Sequence, residues 1–241
     1  MTTLVVGASG ATGRLLVEQL LNKGEEVRII VRSTGKLPEN LRNRSNLEVR
    51  LGSILNLRDA ELEALVKGCG AVASCLGHNL TLKGVFGRPH RLVTDAVRRL
   101  CSAVKNSPAE GPVKFVLMNS SGVRNPDNHE TISFAQRCVV GLLRLLVPPH
   151  ADNETAAEYL RSRIGQNNAA IAWVAVRPDS LTDAGEITEY EVYPSPIRSA
   201  IFDAGAASRI NVADFMANLI TNQDTWERWE GQMPVIYSHR K

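Results

Sequence analysis

Three glycines near the N-terminus form the pattern with the clearest chemical meaning. The segment Gly7-Ala8-Ser9-Gly10-Ala11-Thr12-Gly13, called here the phosphate loop, directly follows the apolar run Leu4-Val5-Val6 and precedes leucines at helical spacing. Between a strand and a helix, the first glycine permits a tight turn, the second lets backbone approach a pyrophosphate, and the third allows close helix packing. The amides and positive dipole at the helix start complete an anion site. The sequence therefore predicts a site for a dinucleotide pyrophosphate.

The second predicted strand, 26–31, ends in basic and hydroxyl residues where an acid would indicate NAD. Val31 is followed by Arg32-Ser33-Thr34, with Lys36 close behind. NAD-binding proteins have Asp or Glu here to bind the ribose 2′-hydroxyl. A guanidinium beside a serine instead suits a 2′-phosphate by charge and by bidentate geometry. We therefore predict NADP(H) as the cofactor, with Arg32 binding its extra phosphate; a merely solvated arginine is the alternative.

These residues require a scaffold in which strands and helices alternate. Apolar runs predict strands at 3–7, 26–31, 47–51, 71–76, 113–120, 171–177 and 234–237. Helical spacing of apolar residues predicts helices at 13–23, 58–67, 89–105, 132–146, 153–165 and 212–221. Strands separated by such helices need crossover connections, which predicts an α/β fold with a parallel sheet covered on both faces. Because no repeat or linker divides the chain, we expect residues 1–241 to form one domain.

The composition excludes several classes of protein. The 241 residues are 44% hydrophobic and 22% charged, and 28 basic against 25 acidic side chains give a net charge of +3. This is typical of a globular protein and too small a surplus to predict nucleic-acid binding. No apolar run approaches the about 20 residues of a membrane span, and no secretory signal pattern is present. We expect a cytoplasmic monomer or homodimer that acts on a small molecule, with no nucleic-acid or membrane partner.

The four cysteines do not suggest a metal site or a disulfide framework. No two of them form a C-x-x-C pattern, and no histidine lies at zinc-ligand spacing from any of them; they are Cys69, Cys75, Cys101 and Cys138. Cys75 has no neighbouring group in the sequence that would activate it as a nucleophile. We therefore predict buried, reduced thiols and no bound metal.

The phosphate loop and the Val-Arg ending of the second strand resemble a known family. They are similar to the atypical, extended-like short-chain dehydrogenases/reductases, within an NAD(P)H-binding group that includes NmrA-like proteins and reductases of the biliverdin reductase B or flavin reductase type. The resemblance implies a Rossmann-type doubly wound sheet with a small substrate-side segment at 179–210. Further matching motifs, up to about residue 220, are Gly52-Ser53-Ile54, Ser74-Cys75-Leu76-Gly77, Ser120-Ser121-Gly122, Glu158-Tyr-Leu-Arg161, Val176-Arg177-Pro178 and Ser208-Arg-Ile-Asn-Val-Ala213.

The resemblance also implies which residues contact the cofactor. Residues of the phosphate loop would surround the phosphates, and Ser53 and Ile54 would flank the adenine. The segment Cys75-Leu76-Gly77 would pass near the ribose and nicotinamide, and Ser120 and Pro178 would line the nicotinamide pocket. The implied cofactor-binding set is Gly7, Ser9, Gly10, Ala11, Thr12, Gly13, Arg14, Arg32, Ser53, Ile54, Cys75, Leu76, Gly77, Ser120 and Pro178.

Two side chains are candidates for catalysis. Ser121 lies just beyond the fifth predicted strand, at the carboxyl edge where open α/β sheets bind ligands. Its hydroxyl either forms a hydrogen bond with a substrate oxygen or only forms one with a nearby backbone group. His150 ends the segment Pro148-Pro149-His150, which resembles a loop that borders the substrate in reductases of the biliverdin or flavin type. Histidine is the common side chain whose unperturbed pKa lies near neutrality. An inert histidine in an exposed loop is the alternative.

The sequence departs from short-chain enzymes in lacking the pair Tyr-x-x-x-Lys, in which the lysine lowers the tyrosine pKa for proton exchange during hydride transfer. The near match Tyr159-Leu-Arg-Ser-Arg163 has an arginine that does not titrate in this way, so we expect Tyr159 to pack in a helix.

The expected activity is NADPH-dependent reduction of a flavin, quinone or similar acceptor, because this reaction mainly requires that the acceptor be positioned over the nicotinamide. A non-catalytic NADP(H)-responsive regulator of the NmrA-like type is the alternative. The missing pair and short C-terminal region disfavour an epimerase or dehydratase.

Overall fold

The computed structural model describes residues 1–78, 87–107, 109–128, 130, 147–199 and 202–239. Its strands are β1 (Thr2–Val6), β2 (Glu26–Val31), β3 (Leu47–Leu51), β4 (Ala71–Ser74), β5 (Val113–Met118), β6 (Ile171–Pro178), β7 (Ser180–Thr182), β8 (Tyr190–Tyr193), β9 (Ala206–Ser208) and β10 (Val235–Ser238). One sheet has the order β3-β2-β1-β4-β5-β6-β10-β8, and β7 pairs with β9. From β3 to β10 the neighbours are parallel, and β8 is antiparallel to β10. The predicted α/β fold is confirmed, with an antiparallel strand added at one edge.

Helices cover both faces of this sheet. In the described residues they are α1 (Ala11–Asn22), α2 (Glu39–Arg42), α3 (Asp59–Val66), α4 (Leu92–Asn106), α5 (Pro148–Glu158), α6 (Arg209–Thr221) and α7 (Gln223–Trp229). One apolar cluster buries Leu16 of α1 and Met216 of α6 against the sheet. The second cluster, on the opposite face, buries Leu62, Leu100 and Ala156 of α3, α4 and α5. None of the helices in this part of the chain has both the length and the apolar character needed to cross a membrane.

Several predicted boundaries were wrong by a few residues. The helix predicted at 153–165 begins at Pro148, because proline is favoured in the first turn, and it continues as a π-helix over Tyr159–Ile164. The fifth strand stops at Met118, two residues before its predicted end. The short elements α2, α7, β7, β8 and β9 were not predicted, since each is too short to show a periodic pattern. The helix predicted at 132–146 lies outside the described residues.

The strand order reverses between β1 and β4, which places a crevice at their carboxyl ends. The chain passes from β1 to β2 and β3 on one side, whereas β4, β5 and β6 lie on the other. In the parallel register, Val6 is level with both Ile30 and Ser74. The chain therefore leaves β1, β2 and β4 at the same edge of the sheet, where doubly wound proteins bind their ligands.

Candidate functional site

The first glycine of the phosphate loop lies against the end of β4. Gly7 has φ +77°, a conformation that L side chains rarely adopt, and a Cβ atom on it would lie 2.5 Å from the carbonyl carbon and oxygen of Cys75. The Cys75 amide donates to the Val6 carbonyl at 2.9 Å. Gly7 is therefore required both for the turn and for the close approach of two backbones.

The turn then opens the N-terminus of α1 toward the crevice. The Gly10 amide donates to the Gly7 carbonyl at 2.9 Å, and a Cβ atom on Gly13 would collide with that same carbonyl oxygen. Gly10 is the N-cap and supplies no side-chain hydrogen bond, and the first turn contains no acidic residue. The first helical amides have no partner within the helix, so they and the helix dipole favour a bound anion. Ser9, Ala11 and the buried Thr12 belong to this turn.

Basic and hydroxyl residues lie where β2 and β3 end together. The Gly52 amide donates to the Val31 carbonyl at 2.9 Å, which brings the residues after the two strands side by side. Arg32 is exposed, and the Ser33 hydroxyl accepts a hydrogen bond from the Gly35 amide at 3.2 Å, which caps a short 3₁₀ turn. Ile54 is buried beneath this edge. The chain therefore offers a guanidinium and a hydroxyl at the end of β2, beside the Gly52-Ser53-Ile54 segment.

The segment after β4 continues along the same edge. Cys75 is buried, Leu76 is half-buried and Gly77 is exposed. Burial raises the pKa of the Cys75 thiol to about 12, so the thiol stays neutral at physiological pH. The described cysteines Cys69, Cys75 and Cys101 are all free and buried. Cys75 therefore packs a small, uncharged side chain into the apolar core beside Gly13 of the phosphate loop.

The residues after β5 and β6 are joined by backbone hydrogen bonds. The Ser121 amide donates to the Pro178 carbonyl at 2.9 Å, and the Gly122 amide donates to the Ser120 hydroxyl at 3.3 Å. Ser121 is buried, whereas Ser120 is half-buried. Ser120, Ser121 and Pro178 thus form one continuous lining at the ends of two neighbouring strands.

His150 joins this lining from α5. A Cβ atom on Gly122 would lie 3.4 Å from His150 Cε1 and 3.6 Å from Ser120 Oγ, so the ring and the hydroxyl border the same point. His150 Nε2 is buried and lies 3.4 Å from Glu154 Oε1, outside hydrogen-bond geometry. The segment Pro148-Pro149-His150 is the first turn of a helix, which corrects the prediction of a loop. The backbone holding His150 is therefore fixed, and its ring lies beside the ends of β5 and β6.

A second pair of imidazole and carboxylate lies in the same region and was not predicted from the sequence. His78 Nε2 and Asp152 Oδ2 lie 2.8 Å apart, within hydrogen-bond distance, and the two side chains are 5% and 0% exposed. No local signal would have found the pair, because its members are 74 residues apart.

Tyr159 lies at the start of the π-helix and packs toward α4. The Arg98 guanidinium lies 5.5 Å from the centre of its ring. Burial raises the pKa of the phenol. Its hydroxyl is therefore a poor proton donor or acceptor near neutral pH.

The segment 179–210, which was predicted to lie on the substrate side, borders a separate cavity. This cavity of about 770 Å³ is lined by hydroxyl residues and acidic and imidazole groups from β7, β9, β10 and the connecting loops, among them Thr182, Glu186, Thr188, Ser208, Ser238 and His239. In the described part of the chain, no group of three or more His, Cys, Asp or Glu side chains is arranged to hold a metal ion.

Comparisons with solved structures support the same fold. A short-chain dehydrogenase/reductase of wide type from Veillonella parvula, solved in complex with NADP, is 16% identical with a TM-score of 0.69, covering 98% of this chain and 94% of that one. A Streptococcus pneumoniae protein assigned as an NADH-flavin reductase is 16% identical, with a TM-score of 0.67 and coverage of 99% and 100%. An oxidoreductase from Lactococcus lactis is 15% identical, with a TM-score of 0.69 and coverage of 100% and 92%. No curated protein matches the sequence significantly.

The sequence itself matches a family model over most of its length. The model describes NAD(P)H-binding proteins and matches residues 7–223, from the first glycine of the phosphate loop to the start of α7. The match therefore includes the turn that follows β1 and the ends of β2 to β6, where the described crevice lies. It agrees with the resemblance to atypical short-chain dehydrogenases/reductases. The protein is a member of the NAD(P)H-binding family with a Rossmann-type fold.

Proposed function

We propose that this protein is an NADP(H)-dependent oxidoreductase that reduces a flavin, a quinone or a similar small conjugated acceptor. The observation that carries the proposal is the phosphate loop, where side chains at Gly7 and Gly13 would collide with the backbone that shapes the turn. The uncapped N-terminus of α1 fits the same group, since it directs amides at an anion. The Veillonella parvula structure shows NADP bound to a protein of the same fold.

The cofactor would lie across the carboxyl ends of β1 to β6. Its diphosphate would rest on the phosphate loop, with Arg14 nearby, and the adenine would lie beside Ser53 and Ile54. The exposed Arg32 supports NADP(H) over NAD(H), because a guanidinium pairs with the 2′-phosphate of NADP(H). The Asp or Glu that binds the ribose 2′-hydroxyl of NAD(H) is missing at this position. The nicotinamide would lie among the remaining residues of the predicted set, which are Cys75, Leu76, Gly77, Ser120 and Pro178.

The bound cofactor would supply a hydride, which carries two electrons, to a flat acceptor held over the nicotinamide. Ser121 and His150 are the proposed catalytic residues on the acceptor side. His150 would donate the proton that completes reduction, since Nδ1 and Cε1 of its ring lie beside Gly122. Ser121 would hydrogen-bond an acceptor oxygen. The segment 179–210 would border the acceptor, as the family resemblance implies.

The decisive experiment incubates the purified protein with NADPH and, in turn, FMN, several quinones and dichlorophenolindophenol. Oxidation of NADPH is followed by absorbance near ~340 nm, and turnover numbers in the common enzymatic range of ~1 s⁻¹ or above support the reductase. Tight NADPH binding by calorimetry with no turnover on the whole panel would instead favour the non-catalytic, NADP(H)-responsive regulator. Failure to bind NADPH would reject both readings.

Substitution of His150 tests its role as the proton donor. We expect His150→Ala to lower kcat with quinones by about 10²-fold, the usual size of a lost general acid, while NADPH affinity stays unchanged. Reduction of FMN should fall much less, because reduced flavin is stable as an anion and needs no enzymatic proton. The matched control is His90→Ala, which removes an exposed histidine before α4. Wild-type rates in His150→Ala would show that this ring is not catalytic.

A further inference from the structure

The buried carboxylate of Asp152 accepts hydrogen bonds from three donors on two other parts of the chain. Its Oδ1 accepts from the Thr94 amide at 2.9 Å, and its Oδ2 accepts from the Val93 amide and His78 Nε2, both at 2.8 Å. The Thr94 hydroxyl also donates to the Asp152 carbonyl at 3.0 Å. Three segments, around residue 78, at the start of α4 and in α5, therefore meet at one carboxylate.

Two of these bonds have a clear structural purpose. The N-cap residue of α4, Arg91, makes no side-chain capping bond, so Asp152 acts as the cap from a different helix. A carboxylate at a helix N-terminus satisfies unpaired amides and interacts favourably with the helix dipole. The cap is complete with the Val93 and Thr94 amides, so the bond from His78 is additional to it.

The third bond fixes the imidazole of His78. An ionised carboxylate can only accept, so His78 Nε2 carries a hydrogen and donates it. The pair is almost completely buried, and a charge-assisted bond of this kind is stronger than a neutral one. The orientation of the ring, and with it the backbone of residue 78, is therefore set by α5.

This bond joins the two halves of the crevice. His78 follows the segment Cys75-Leu76-Gly77, whose first residue contacts Gly7 of the phosphate loop. Asp152 lies one half-turn of helix beyond His150, which borders Ser120 and Gly122. β4 ends at Ser74, so the segment 75–77 lies beyond the sheet ladder. It is anchored on one side by the Cys75–Val6 hydrogen bond and on the other by His78.

We infer that His78 and Asp152 form a positioning pair that holds Leu76 and Gly77 in the conformation that accepts the nicotinamide half of the cofactor. The inference rests on the proposed function, because it assigns the nicotinamide to this segment. The pair acts through the backbone of 75–77 and need not touch the cofactor. Losing the bond should weaken binding of the nicotinamide half and leave the adenosine half unaffected, since that half is held at the phosphate loop and the ends of β2 and β3.

Calorimetry with two probes tests this pair. NADPH reports both halves of the site, and adenosine 2′,5′-bisphosphate reports the adenosine half alone. We expect His78→Ala to raise the Kd for NADPH about tenfold, the equivalent of one lost charge-assisted bond, and to change the Kd for the bisphosphate less than about twofold. The Tm should stay close to that of the wild type, because Asp152 still caps α4.

Two further variants make the result specific. His78→Gln retains a nitrogen donor with similar reach to Asp152, so its ratio of the two Kd values should return toward the wild-type ratio. His78→Asn is too short to reach Asp152, and its ratio should match that of His78→Ala; it replaces the alanine variant if the latter does not fold. The positioning pair would be overturned if the ratio of the two Kd values in His78→Asn and His78→Ala equals that of the wild type. It would also be overturned if both probes bind more weakly by the same factor. Either result would leave the proposed function intact. A wild-type protein that binds neither probe would overturn both proposals.

Discussion

Arg32 is exposed at the end of β2, so its charge can be reversed without disturbing the apolar core. If Arg32 binds the 2′-phosphate, the variant Arg32→Glu should prefer NADPH less strongly than the wild type does. We expect the ratio of kcat/KM for NADPH to kcat/KM for NADH to fall by at least about tenfold. The ion pair with the 2′-phosphate becomes repulsive, and the new carboxylate can accept a hydrogen bond from the ribose 2′-hydroxyl of NADH. Steady-state kinetics with both cofactors measures this ratio. The control is Arg42→Glu, an exposed arginine in nearby α2. Equal ratios in the wild type and Arg32→Glu would remove the phosphate assignment.

The buried thiol of Cys75 should react very slowly. Its pKa of about 12, raised by burial from an ordinary 9.0, leaves about 1000-fold less thiolate at pH 8 than an exposed cysteine has. We expect iodoacetamide to spare Cys75 in the native protein at pH 8 and to modify it after unfolding, with native labelling increasing as the pH approaches 12. Peptide mapping by mass spectrometry measures the labelling. Rapid native labelling at pH 8, or loss of turnover in Cys75→Ala, would show a reactive thiol in place of a small lining residue.

At the scale of the element, the phosphate loop depends on two backbones that come too close for a side chain. A Cβ atom on Gly13 would meet the Gly7 carbonyl oxygen and would lie 3.1 Å from Cys75 Cβ. We therefore expect Gly13→Ala to lower the free energy of unfolding by about 1–3 kcal/mol and to weaken NADPH binding. Urea denaturation and calorimetry measure the two effects.

Gly111→Ala is the matched control for this change. Gly111 is exposed, and a Cβ atom on it would have no heavy atom within 4 Å. Its free energy of unfolding should stay within about 0.5 kcal/mol of the wild type. A wild-type stability and NADPH affinity in Gly13→Ala would contradict the close approach of α1 to the turn.

Helix α5 illustrates how one element can serve several sites. Its first turns supply His150 to the lining after β5 and β6, and Asp152 to the N-terminus of α4 and to His78. The Asn153 carbonyl accepts from the Asn119 side chain at 3.0 Å, which ties the same turn to the end of β5. A shift of this helix would therefore move His150 relative to Gly122 and would disturb the bond between Asp152 and His78.

At the scale of the whole molecule, Arg177 joins the loops that surround the carboxyl edge of the sheet. It is fully buried in β6 and forms a two-bond pair with Glu130 at 2.7 and 3.1 Å. It also donates to the carbonyls of Met233, Val123 and Pro194. These bonds connect the segment after β5, the approach to β10 and the end of β8 to one guanidinium.

Removal of this guanidinium should strongly destabilise the protein. We expect Arg177→Met to lower the free energy of unfolding by about 3–5 kcal/mol, because Glu130 would remain as a buried, unpaired charge. Adding Glu130→Leu should restore part of this loss, since it removes that charge. Urea denaturation of the wild type, both single variants and the double variant measures the coupling. Additive losses in the double variant would show that the two side chains are energetically independent.

The sequence by itself determined the phosphate loop, the alternation of strands and helices, and the basic end of β2. These features are local: glycine spacing, apolar periodicity and the residue after a strand act over a few neighbours, so they can be interpreted without the fold. The α/β sheet and the NAD(P)H-binding family were predicted correctly for this reason.

The tertiary structure alone decided which distant side chains meet. His78 and Asp152 are 74 residues apart, and Arg177 and Glu130 are 47 apart, so no local pattern indicated either pair. The antiparallel edge strand β8 likewise depends on its pairing with β10, and the placement of His150 beside Gly122 depends on how α5 packs. Such contacts arise when separate elements pack on a common sheet, because a buried polar group without a partner costs free energy and most such groups therefore pair with whatever the packed chain brings close.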